Sequence, residues 1–232
     1  GHQLQAHYEY QSAGHVTPGP DGKVIFTRRG LYTPTLKPRK EDNEGGAGYC
    51  IPAAHGPLYL SVNTSTRNST SCAVHMVGNA GPLARLTELD VPEGLTDGDR
   101  ESFGSDRRLH LIPSAKLIVT IPTSNDRLIL HRFDLVEALK KADVDYLLVM
   151  SQPPAVAKKG ETFNYQLAVM SRKGGVTYRV ESGPKGMEIS PKGLLKWSVP
   201  AKTEETDVSI ILAVGDSAGQ EVFHTFTLSL RE

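Results

Sequence analysis

At 232 residues the chain is long enough for one large domain or two ordinary ones, each able to bury a core. Its 26 basic and 26 acidic side chains cancel, and neither half carries the basic excess that nucleic acid or an anionic membrane surface would select. No apolar run approaches the ~20 residues of a membrane-spanning helix, so no membrane insertion is expected.

The first 135 residues read as strands punctuated by turns. Pro18-Gly19-Pro20-Asp21-Gly22 is a compact turn signal before the strand Lys23 to Thr27, and Gly30 to Thr33 begins another extended piece. The rhythm returns at Ile51-Pro52, with Pro57 to Val62 and Cys72 to Val77 as neighbouring strand candidates. Leu109 to Pro113 opens a third copy, whose strands are Lys116 to Ile121 and Arg127 to Phe133. Proline, turn, strand, connection, strand is thus written three times, with insertions in the loops. Blocks of antiparallel strands at such spacing suggest propeller blades. On Pro20-Asp21-Gly22-Lys23-Val24-Ile25 and Leu128 to Leu135 this region resembles a partial, degenerate WD-repeat-like β-propeller, although the Trp-Asp and Gly-His pairs of that family are absent. Three blades do not close a ring, which takes about 4–8. Further blades upstream, pairing of blade units in a homodimer, or a smaller sheet assembly would each resolve this. The loops at 39–48 and 91–105 are read as solvated insertions.

Asp134 to Asp143 carries the clearest helical pattern, with Leu135, Val136 and Leu139 on one side. Asp134 can cap its start, and Lys140 and Lys141 suit its negative end. It is read as a short connecting helix over 136–145, between a blade-like region at 2–135 and a second domain at 146–232.

That domain begins with the apolar run Tyr146 to Gln152. Thr162 to Met170 then alternates as one strand, with Phe163, Tyr165, Leu167 and Val169 on the same face. Tyr178 to Trp197 is the most closely punctuated stretch in the chain: turns at Gly183-Pro184-Lys185-Gly186 and Ser190-Pro191-Lys192-Gly193 separate short runs carrying Met187, Ile189, Leu195 and Trp197. Val208 to Val214 and Val222 to Leu230 complete about seven short strands, the last with Val222, His224, Phe226, Leu228 and Leu230 on one face. An Ig-like β-sandwich is the natural architecture, with Trp197 plugging its core. The linked elements Gly183-Pro184-Lys185-Gly186-Met187-Glu188-Ile189 and Gly193-Leu194-Leu195-Lys196-Trp197, with Gly160-Glu161-Thr162 and Val214 to Gly219, resemble the bacterial Ig-like, dystroglycan-type cadherin-like family over most of 146–232. The resemblance implies an extracytoplasmic sandwich, in the periplasm or at the cell surface, used as a spacer or adhesion module.

Chemistry is sparse. The Gly45 to Gly48 run lacks the context of a phosphate loop, no Ser sits in a nucleophile elbow, and Ser114 and Ser124 merely lie near turns. His75, His110 and His131 lie in strand candidates and would form a metal cluster only if those strands converge; each is read as a half-buried strand residue. Cys50 and Cys72 are read as unpaired thiols, with a disulfide as the alternative outside the cytoplasm. Asn63 and Asn68 begin formal glycosylation triplets. Glu161, Glu204, Glu205, Asp207 and Asp216 lack the clustering that calcium demands. No catalytic, cofactor-binding or metal residue is therefore assigned.

The expected function is non-catalytic binding, adhesion or scaffolding, with an unidentified protein or carbohydrate partner. One alternative is a ligand-recognition and spacer region of a larger enzyme or sensor kinase. Another is a carbohydrate-binding module using Tyr8, Tyr10, Tyr32 or Tyr49 as an aromatic platform.

Overall fold

The computed structural model describes residues 16–20, 22–39, 49–65, 69–79, 81–87, 89, 107–122 and 124–232. Tyr8, Tyr10, Asn68, the Gly45 to Gly48 run and nearly all of the two predicted loops lie outside them. The fold is all-β, built from several antiparallel sheets with one α-helix among the described residues. Two compact units divide the chain, Gly1–Val144 and Asp145–Glu232.

The first unit contains three successive antiparallel meanders. β1 (Val16–Pro18), β2 (Ile25–Thr27) and β3 (Gly30–Tyr32) form one; β4 (Tyr49–Pro52), β5 (Leu58–Ser65), β6 (Ser69–Met76) and β7 (Ala84–Leu86) the next; β8 (Leu109–Ile112), β9 (Leu117–Thr120) and β10 (Ile129–Arg132) the third. The strands read from sequence are β2, β3, β5, β6, β8, β9 and β10. The short β1 and β7 were not legible, because Pro18 marks the first as a loop or edge and Ala84-Arg85-Leu86 lacks β-branched and aromatic residues. β4 packs against both the first meander and β8, and the Ala54 N–H donates to the Leu111 carbonyl at 2.9 Å, tying the second meander to the third. Val24, Phe26, Leu31 and Tyr59 form a buried cluster.

Helix α1 (Leu135–Ala142) belongs to this first unit. Asp134 caps it, its carboxylate accepting from the Glu137 N–H at 3.0 Å, which satisfies one of the orphan donors of the first turn. Leu135, Ala138 and Leu139 are its buried residues. Ala138 thus takes the place expected for Val136, since positions i, i+3 and i+4 share a helix face whereas i+1 lies about 100° round.

The second unit is a β-sandwich. One sheet has the order β12 (Val156–Lys158), β19 (Glu221–Arg231), β18 (Asp207–Gly215), β15 (Thr177–Ser182); the other has β13 (Thr162–Gln166), β17 (Leu194–Ser198), β16 (Glu188–Ile189); β11 (Leu147–Val149) pairs with β14 (Val169–Ser171). All these pairings are antiparallel except β12 with β19. Phe163, Tyr165, Leu195 and Trp197 from one sheet meet Ile210, Leu212, Val214, Leu228 and Leu230 from the other in one buried cluster. Removing a side chain such as Ile210, with no exposed surface, to alanine would cost about 2–5 kcal/mol.

The single strand expected over Thr162–Met170 is two strands. Thr162–Gln166 pairs with β17, and Val169–Ser171 pairs with β11. The alternation continues across the break, because Phe163, Tyr165 and Leu167 remain buried while their backbone changes partner.

The two turns around β16 explain the punctuation of Tyr178 to Trp197. The Met187 N–H donates to the Pro184 carbonyl at 3.2 Å with Gly186 at φ +82°, so proline opens this turn and glycine takes its third position. In the next, Pro191 is second, and the Gly193 N–H donates to the Ser190 carbonyl at 2.9 Å. Gly193 has φ +76°, and a Cβ there would lie 2.8 Å from the Tyr178 ring. Both the backbone and the available space exclude a larger residue.

Candidate functional site

The outward side of the β15–β18–β19 sheet is built in rows. Cross-strand register places Thr177, Gly215 and Glu221 in one row, Arg179, Ala213 and Phe223 in the next, Ser182, Ile211 and Thr225 in the third, and Ser209 with Thr227 beyond. Directly paired residues share a face, and alternate residues along a strand repeat on it. The alternation that sends Leu228 and Leu230 into the core therefore sends Phe223, Thr225 and Thr227 outward.

Phe223 is 44% exposed, a large apolar ring in a field of hydroxyls. Ala213 beside it is 2% exposed although it faces outward, because Phe223 and Arg179 flank it and shade its methyl. Arg179 is gripped from both sides: Nε donates to Glu181 Oε2 at 2.8 Å and the guanidinium reaches Glu221 Oε2 at 3.2 Å. Glu181 first, then Glu221, pushes the guanidinium further above its already high ordinary range. Asp207, at the far end of the face, accepts from Ser229 Oγ at 2.7 Å. That bond and one from Thr206 hold its carboxyl below the usual carboxylate range.

An aromatic ring, a fixed ion triad and a ladder of Thr and Ser hydroxyls can stack against and hydrogen-bond a polar, flat ligand. The two-residue alternation of β19 puts Phe223 on the outer face, whereas the aromatic platform expected from sequence was among tyrosines. The two of those tyrosines that lie among the described residues are placed otherwise. Tyr49 is buried, with the Arg28 guanidinium 5.5 Å from its ring centre, and Tyr32 is half-buried on β3.

The three strand histidines do not converge. Across β9, His110 pairs with Val119 and His131 with the adjacent Ile118, so the two leave opposite faces of their sheet. His75 lies in another sheet, stacked on Tyr59 with ring centres 4.9 Å apart and Nε2 2.9 Å from Ser61 Oγ. Among the described residues no group of three His, Cys, Asp or Glu side chains is placed to hold a metal. Asp216 Oδ1 accepts from the backbone N–H of Ala218 and Gln220, and Oδ2 from Ser171 Oγ. One oxygen thus closes its own turn and the other ties that turn to β14.

Cys50 pairs with Ser61 and Cys72 with Val62, placing the thiols on opposite faces of a sheet and two strands apart. That separation is about 9–10 Å, beyond the ~7 Å Cα limit for a disulfide. Neither is in a disulfide, and burial pushes the Cys72 thiol up to about 12.

One polar network was not foreseen. Tyr165 Oη lies 2.8 Å from Ser151 Oγ and 3.1 Å from His224 Nε2, and the Ala168 N–H donates to Ser151 Oγ at 2.9 Å. The Tyr165, His224 and Phe226 rings pack together, with centres 5.3–5.9 Å apart. The network joins β13 of one sheet to β19 of the other and to the segment after β11, acting as a clasp between layers. The inward positions of Tyr165 and His224 were legible; their meeting required the fold.

No helix among the described residues is long and apolar enough to cross a membrane. No family model matches the chain, and no curated protein matches it. Among solved structures, the chain is similar to a candidate alpha-galactosidase from Bacteroides fragilis at 15% identity, over 37% of this chain and 17% of that one, with a TM-score of 0.30. The chain spans 17% of the length of that neighbour, and a likeness this slight carries no functional argument.

Proposed function

We propose that this chain is a non-catalytic recognition segment of an extracytoplasmic protein, and that the outward face of β15–β18–β19 binds carbohydrate. The observation that carries the reading is Phe223, exposed beside a doubly held Arg179 and a hydroxyl-lined surface. A sugar stacks its C–H face on an aromatic ring, while its hydroxyls exchange bonds with carboxylate, guanidinium and hydroxyl groups. The face is the open side of a sheet, where a ligand lies against strands instead of entering a cleft, which supports binding without turnover.

In the same reading, the second unit is a dystroglycan-type cadherin-like sandwich and the first a set of propeller-type blades. The two-layer core supports the former. The three consecutive meanders, with β4 packed between β1 and β8, support the latter.

The experiment is retention on a panel of immobilised neutral glycans, with the bound glycan recovered and its chain length measured. The wild-type chain retains at least one glycan and releases it intact. Phe223→Ala weakens retention roughly tenfold or more, the loss expected when an aromatic anchor is truncated. Equal retention by Phe223→Ala, or no glycan retained, refutes the proposal; shortened glycan refutes its non-catalytic part.

A further inference from the structure

A groove of about 380 Å³ in the first unit is lined by Arg85, Leu86, Thr87 and Leu89 on one side and by Ile118, His131 and Arg132 on the other. Its walls come from two separate meanders: Arg85 and Leu86 belong to the edge strand β7, whereas Ile118, His131 and Arg132 belong to β9 and the edge strand β10. Ile118, 1% exposed, lies beneath the groove, while Leu86 and Leu89 are half-buried along it. His131 is oriented by Nε2, which lies 3.1 Å from Thr120 Oγ1.

Several of the described arginines are engaged within the fold. Arg108 is buried and spends one guanidinium nitrogen on the Pro122 carbonyl at 2.7 Å and Asn125 Oδ1 at 2.9 Å. Arg127 pairs with Asp126, Arg172 with Asp145, and Arg179 with two glutamates. Arg85 and Arg132 make no hydrogen bond or ion pair through their side chains among the described residues, and both line this groove. Arg85 and Arg132 border the groove from opposite walls, and their donors are open to an anion that enters it. Guanidinium forks match the two oxygens of a carboxylate.

We propose that this groove binds a small organic carboxylate, its anionic end at Arg85 and Arg132 and its apolar body against Leu86 and Leu89. The volume falls in the range of small-molecule sites. The apolar lining distinguishes the ligand from a bare inorganic anion or a nucleic-acid backbone. This site lies in a different unit from the Phe223 face, takes a different class of ligand, and stands or falls independently of it.

The test is a titration of the isotope-labelled full chain with benzoate, with benzamide as its neutral isostere and phenyl phosphate as a second anion, at constant ionic strength. Benzoate shifts the His131 ring and the Ile118 and Leu86 methyl signals with a millimolar Kd, the affinity expected of a fragment this small. Benzamide binds at least about tenfold more weakly, and Arg85→Gln and Arg132→Gln each weaken benzoate binding by a similar factor. Because the benzoate–benzamide comparison uses wild-type protein, it decides even where a variant misfolds. Equal response to benzamide, unchanged affinity in either folded variant, or no benzoate shift in these residues overturns the site. Tighter binding of phenyl phosphate than benzoate overturns the carboxylate assignment.

Discussion

Replacing Tyr165 by Phe removes one hydroxyl from the clasp between the two layers of the sandwich and nothing else. Tyr165 is 5% exposed, and its Oη bonds Ser151 at 2.8 Å and His224 at 3.1 Å. Ser151 Oγ retains the Ala168 N–H, so its loss is partial. His224 is only half-buried, and water reaches it more readily than it would a core group. Two ordinary bonds contribute about 0.5–1.5 kcal/mol each, and desolvated partners left behind add to the cost. The expected loss is about 1.5–2.5 kcal/mol. For a domain of this size that corresponds to roughly 6–20 °C in Tm. Trp197 is the chain's single tryptophan and sits in the core of this unit, so urea unfolding followed by its fluorescence reports the sandwich by itself. In a Ser151→Ala, His224→Phe background, the same replacement should cost less than about 0.5 kcal/mol. A wild-type loss below that level, or an undiminished loss in the altered background, would refute the clasp and assign any effect to ring packing.

Trp197→Ala should destabilise the sandwich by about 3–5 kcal/mol in circular-dichroism melts; because Trp197 Nε1 has no hydrogen-bond partner among the described residues, Trp197→Phe should cost distinctly less. Gly193→Ala should lower stability by more than the ~1 kcal/mol typical of a positive-φ strain, since its methyl also meets the Tyr178 ring, and Tyr178→Ala should relieve part of that penalty. Cys50 should react with a thiol reagent at neutral pH well before Cys72, whose thiol is pushed up to about 12 by burial, and mass spectrometry of the oxidised chain should find no intramolecular bridge. Burial also raises the Tyr165 phenol above its ordinary 10.0, against a smaller opposing effect of the Ser151 bond. Its contribution is therefore fully present below pH 10 and lost as pH rises beyond, because the unfolded chain ionises first. Tyr165→Phe should flatten that alkaline decline in urea midpoints.

Local chemistry was legible because it depends on residues near one another in the chain. The turn glycines and prolines, the alternation of Leu195 with Trp197, and the capping of α1 by Asp134 each follow from a few neighbouring positions. Even so, Ala138 displaced Val136 from the buried side of that helix, since ten residues define a stripe only approximately. The Thr162–Met170 run shows the limit more plainly: alternation specifies which side chains go inward, but not which strand supplies the backbone bonds.

Tertiary structure decided everything that depends on partners distant in sequence. Register placed Cys50 and Cys72 on opposite faces, set His110 and His131 apart, and left Phe223 exposed beside Arg179. It also brought Arg85 and Arg132 from two meanders to one groove. The sequence by itself determined an all-β chain and where most of its turns and inward positions fall, because these follow from φ preferences and a two-residue period. Which of those positions meet is settled by long-range pairing, where shifting a strand by one residue exchanges its faces. No local pattern encodes that choice.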